Sequence, residues 1–155
     1  MQPDIWPSFL AGLDDTIEPL WSAAKLVHDN TVVDGGPFGP VPFNFRLWSD
    51  NLWGVYDDTV ISIRMECRQI FPPLLESPSD ANLWSIKHAV AARRPMFVVP
   101  ISYFRDSQND PEPNDSLRRV AEEAWVGCSR MHAEMAVFDA WLGRLIAWRR
   151  RQGLF

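Results

Sequence analysis

The sequence predicts an α+β domain: a small antiparallel β-meander packed with three helices and ending in a long C-terminal helix. Three observations carry this prediction. Leu10, Leu13, Ile17, Leu20, Ala24 and Val27 recur at intervals of three and four, the spacing of one helix face. Between residues 41 and 67, apolar residues instead alternate with polar ones, the period of a half-buried strand. From Ala121 to Leu145 the helical spacing returns over a longer run.

Taken in order, the first helix is expected to break or bend near Asp14–Thr16, because Pro19 lacks a backbone N–H. Asp15 or Thr16 can cap a new first turn, and the helix then runs to about Asp29. Gly35-Gly36-Pro37-Phe38-Gly39-Pro40 breaks regular structure and reads as a loop. Val41, Phe43, Phe45 and Leu47 form a first strand, and Leu52–Tyr56 the return strand after the turn at Ser49-Asp50-Asn51. Ile61, Ile63, Met65 and Cys67 alternate with Ser62, Arg64, Glu66 and Arg68 as a third strand with one charged face. Pro72-Pro73 ends the meander. Ser79 or Asp80 caps a helix to about Arg93 that turns Leu83, Ile86 and Val90 inward. Phe97–Phe104 reads as an edge strand, since Pro100 cannot donate to a ladder. An acidic connector follows at residues 106–115.

The last helix is marked at both ends. Asp115 or Ser116 starts it, Glu122 and Glu123 lie in its early turns, Arg149, Arg150 and Arg151 crowd its end, and Gly153 stops it. Its seam is Ala121, Ala124, Cys128, Met131, Met135, Phe138, Leu142 and Leu145. At roughly 35 residues it would be about 50 Å long, which requires a kink at Gly127 or a projecting end.

The chain has 155 residues, the size of one domain spanning 1–155, with a formal net charge of -5. Residues 1–60 hold nine acidic and two basic side chains. That balance disfavours a nucleic-acid or anionic-membrane surface. No apolar run reaches the roughly 18 residues of a membrane span, and Met1-Gln-Pro-Asp-Ile-Trp-Pro is no secretory signal. Cys67 and Cys128 form no spacing motif and read as small buried hydrophobes in a cytoplasmic, reducing compartment.

No catalytic, metal or cofactor site is expected. Cys128, His132 and Asp139 lie near one side of the last helix, but side chains on one rigid helix point outward in parallel, and the third and fourth ligands of a metal site are missing. His132-Ala-Glu134 is half of a zinc-deaminase signature whose Pro-Cys-x-x-Cys half is absent. The acidic loop has Pro111 and Leu117 where a calcium loop needs glycine and glutamate.

Trp141, Arg144, Trp148 and Arg151 are the candidate partner-binding residues. They lie beside the seam of the last helix, and tryptophan and arginine are the types most enriched at binding hot spots. The function expected is therefore a non-enzymatic protein-binding module: an inhibitor, an immunity-type neutraliser or a subunit of a larger assembly. It would bind another protein or a copy of itself through an acidic surface and this Trp/Arg stripe. The alternative is a small enzyme or ligand-binding domain. Phe38, Phe43, Phe45, Trp48, Trp53 and Tyr56 would then wall an aromatic pocket, with His28, His88 or His132 as the acid/base.

Overall fold

A computed structural model describes residues 5–31, 61–98 and 115–154. The described residues are helical and contain no strand, which corrects the α+β expectation. The expected strands at 41–56, and the rest of the 97–104 strand beyond Val98, lie outside the described residues. Phe97 and Val98 themselves are helical.

Helix α1 spans Trp6–Thr31 without the expected break. Leu10, Leu13, Ile17 and Leu20 are buried as their spacing requires, while the side chains of Ala24 and Val27 lie outside the described residues. Pro19 is exposed inside the helix. Its missing N–H deprives the Asp15 carbonyl, and Asp15 is also exposed, so water can take that bond. Thr16 caps nothing. It is buried, with its hydroxyl 2.8 Å from the Gly12 carbonyl and 3.0 Å from Glu134 Oε2.

The expected third strand is a helix. Ile61–Met65 forms α2, Glu66–Ile70 a π-helical turn, and Phe71–Glu76 forms α3. Alternation and helical spacing share Ile63 and Cys67, both buried. The tie is broken by Phe71 and Leu75, buried at further steps of four, while Ile61 and Met65 are exposed. Steps of four over several turns overshoot an α-helix, and a widened turn absorbs the excess. The same turn accommodates Pro72-Pro73. Their rings would press on carbonyls four residues back in an α-helix. In the widened turn, the N–H of Phe71 reaches the Glu66 carbonyl five residues back, and the prolines occupy the first positions of α3.

Helix α4 is Asp80–Arg93. Ser79 caps it, its hydroxyl accepting from the Asn82 N–H at 3.1 Å, and Leu83, Ile86 and Val90 face inward, as the sequence predicts. Helix α5 is Asp115–Arg151 and continues through Gly127. Gly153 ends it with φ +66°; its N–H bonds the Arg150 carbonyl and that of Leu154 the Arg149 carbonyl. This double bond pattern of a left-handed glycine satisfies carbonyls the helix leaves open.

Contacts fix the arrangement. Gly127 lies against Leu20 and Gly12 against Glu134, so α1 and α5 are antiparallel. Arg150 meets Asp80 and Lys87 meets Asp139, so α4 and α5 are antiparallel as well. Across α1, Asp14 holds Arg68 and Glu18 holds Arg64. Across α4, Arg93 donates to Glu66 Oε1 at 2.7 and 3.2 Å. The stretches α1, α2–α3, α4 and α5 thus close an up-down-up-down bundle.

The core lies between them. Phe138, fully buried, has Phe9 at 5.7 Å, Phe71 at 6.3 Å and Trp141 stacked at 6.0 Å between centroids. Cys128, Met131, Met135, Leu142 and Leu145 continue the predicted seam. The far end of α5 does not project. Arg149 donates to the Pro78 carbonyl at 2.9 Å, and Arg150 lies over the Trp84 ring at 5.6 Å, which ties it to the start of α4.

Candidate functional site

The arc of α5 that faces the bundle is wide because α1 covers one side of the seam and α4 the other. This moves one predicted contact residue. Trp141 is 4 % exposed, with the Phe9 ring 5.4 Å away and Phe138 stacked on it. It is a core residue, which corrects its place among the candidate partner-binding residues. Trp148 is half-buried at the edge of the core, while Arg144 and Arg151 are exposed. Phe9 of α1 covers Trp141, which the spacing of α5 alone leaves beside the seam.

What remains on the outer side of α5 is a regular line. Arg130, Val137, Arg144 and Arg151 follow at seven-residue intervals, and all are exposed. Val126 and Val137 are 53 % and 54 % exposed. Two concavities lie in the groove between this side of α5 and α1. One, of about 450 Å³, is lined by Thr16 and Pro19 of α1 and by Arg119, Glu123, Val126 and Arg130 of α5. The other, of about 330 Å³, is lined by Phe9 and Gly12 together with Ala133, Glu134 and Val137. Between them Glu134 bridges the helices, facing Thr16 with one oxygen and accepting from Arg130 Nε at 3.0 Å with the other.

The other titratable side chains noted in the sequence are dispersed. Cys128 is buried, and burial pushes its thiol well above the ordinary range. Asp139 pairs with Lys87 at 2.9 Å. Burial, with Asp14 and Glu66 adding to it, pushes the Cys67 thiol up to about 12. Arg68, in its two-pronged bond to Asp14, is held more firmly protonated than a free guanidinium. His88 lies beside Trp84 at 6.0 Å, and His132 borders a concavity of about 440 Å³ with Ala91, Arg94, Pro95 and Val98. Among the described residues, no three His, Cys, Asp or Glu side chains are grouped to hold a metal ion. The aromatic residues 38–56 of the alternative pocket lie outside the described residues.

Sequence reasoning missed the cross-helix arginines. Arg64 sits over the Trp21 ring at 4.6 Å while it pairs with Glu18, and Arg93 neutralises the buried Glu66. A helical reading of 61–76 would have placed Arg64 and Arg68 four apart on one face, opposite Asp14 and Glu18 at the same interval.

No described helix is long and apolar enough to cross a membrane. No protein family, curated protein or solved structure matches the chain.

Proposed function

We propose that the chain is a non-enzymatic protein-binding module of the cytoplasm, an inhibitor or assembly subunit, that meets its partner with the outer side of α5. The observation that carries this reading is the exposed line of Arg130, Val137, Arg144 and Arg151, with the edge of Trp148 beside it. Among the described residues, neither Arg144 nor Arg151 is paired with a carboxylate. Guanidinium groups beside apolar surface keep a patch soluble alone and still stack or pair when it is covered. Both cysteines are free and buried, which suits a reducing compartment.

The test is a photo-crosslinking amino acid at Ala147, exposed between Arg144 and Arg151, in cells that normally make the protein. A control carries it at exposed Ala81 on α4. The reading expects a discrete crosslinked species from position 147 that is absent from position 81. Equal products from both positions, or none, would overturn it.

A further inference from the structure

We infer that the groove between α1 and α5 receives an amphipathic helix of a partner protein, with acidic side chains along the edge facing the arginines. The inference rests on reading the outer side of α5 as a contact surface. It adds where the partner lies and what chemistry it presents.

The shape argues for a helix. The two concavities succeed one another along one groove, and both are walled by α1 and α5. A row of two apolar hollows between antiparallel helices is what an added helix fills with successive side chains along one stripe. The hollows have apolar rims: Pro19 and Val126 on the first, Phe9 and Val137 on the second. Val126 and Val137 are each more than half exposed, so burying them is a gain still open to the molecule.

The charge argues for acidity. Arg119 and Arg130 line the groove, and Arg144 and Arg151 continue the same side of α5 past the start of α1, within a chain of net charge -5. Arg130 is turned to Glu134 at 3.0 Å. Glu122 and Glu123 are confined to the end near Arg119 and Glu134 offsets Arg130, so the positive charge of this side lies at Arg144 and Arg151. A helix with glutamates or aspartates at heptad spacing would meet Arg130, Arg144 and Arg151 in register, while a basic one would be repelled.

The probe is a dye-labelled amphipathic peptide of about four heptads, with leucine and isoleucine along its seam and glutamates flanking it. A twin carries lysines instead. Anisotropy titrations of the full chain at low salt should show the glutamate peptide binding at least about tenfold tighter than the lysine twin. Arg144→Glu with Arg151→Glu should invert that preference, and Val137→Asp should weaken the glutamate peptide at least about tenfold with helicity unchanged. Equal binding of the two peptides, or no binding by the folded chain, overturns the inference. So does a dimer in sedimentation that the glutamate peptide does not dissociate, or a crosslink from Ala147 that stays within one chain. If position 147 crosslinks another protein while the peptide does not bind, the inference falls and the contact surface stands. If neither occurs, both fall.

Discussion

Replacing Gly127 by alanine and replacing Gly143 by alanine should affect stability differently, although both are glycines inside one helix. Alanine favours a helix interior over glycine by about 1 kcal/mol, and that gain applies at both sites. At Gly143 a new Cβ would meet only Lys87 Nζ at 3.9 Å, an ordinary contact with the end of a flexible side chain. Gly143→Ala should therefore stabilise the fold by about 1 kcal/mol. At Gly127 a new Cβ would lie 3.2 Å from Leu20 Cβ, 3.3 Å from its Cδ1 and 3.4 Å from its Cα. The first and last of these cannot swing away, so α1 itself must shift. Overpacking of this kind costs about 1–3 kcal/mol, which offsets or exceeds the helical gain. Gly127→Ala should leave the fold about 0–2 kcal/mol less stable, some 1–3 kcal/mol below Gly143→Ala. Urea titrations followed by circular dichroism read that difference as a separation of midpoints at constant slope. In thermal melts it corresponds to roughly 2–12 °C for a chain of this size. Equal stabilisation by both substitutions would mean that α1 and α5 do not approach at Leu20 and Gly127. The antiparallel pairing of the two helices would then be wrong.

Two further outcomes follow from the core. Phe138→Ala removes a fully buried ring among Phe9, Phe71 and Trp141 and should cost about 3–5 kcal/mol; a urea titration finding under about 1 kcal/mol would place the ring at the surface. The buried thiols should make the fold sensitive to alkali. The Cys67 thiol ionises near its ordinary value of 9.0 when unfolded but stays protonated to about 12 when folded. Its contribution is therefore present below pH 9 and lost as pH rises toward 12, at up to about 1.4 kcal/mol per pH unit. Cys128 acts in the same direction. Urea midpoints between pH 8 and 11 should fall more steeply in the native chain than in Cys67→Ala with Cys128→Ala, and parallel slopes would count against burial of the thiols.

Legibility in the sequence followed how many residues voted for a period. The seam of α5 repeats over many turns, and Ser79 and Gly153 mark helix ends by chemistry that has few other uses, so these features could be read directly. Ile61 to Cys67 was too short to separate a period of two from a period of four. Pro72-Pro73 looked like a terminator, yet prolines at the first positions of a helix begin one, and the residues that would have decided the matter, Phe71 and Leu75, flank them. The candidate contact surface was half legible. Arg144 and Arg151 are exposed as expected, but the position of Trp141 depended on α1 and α4 sharing one helix as neighbours. That is a tertiary fact no local spacing contains.

The pairing of α1 with α5 has a consequence for how the chain is made. Thr16 and Glu134 meet across 118 residues of sequence. At about 5–20 residues per second, a ribosome takes roughly 6–24 seconds between them. During that interval Leu10, Leu13, Ile17 and Leu20 have no α5 to cover them. Closing the span afterwards costs entropy on the order of 4 kcal/mol by the logarithmic loop law, before any contact between the two helices repays it. A helical bundle ordinarily folds fast because its contacts are local. Here the most extensive helix contact joins the first described helix to the last, so assembly should be slow for an all-helical protein, with nascent α1 dependent on shielding until synthesis has passed Glu134.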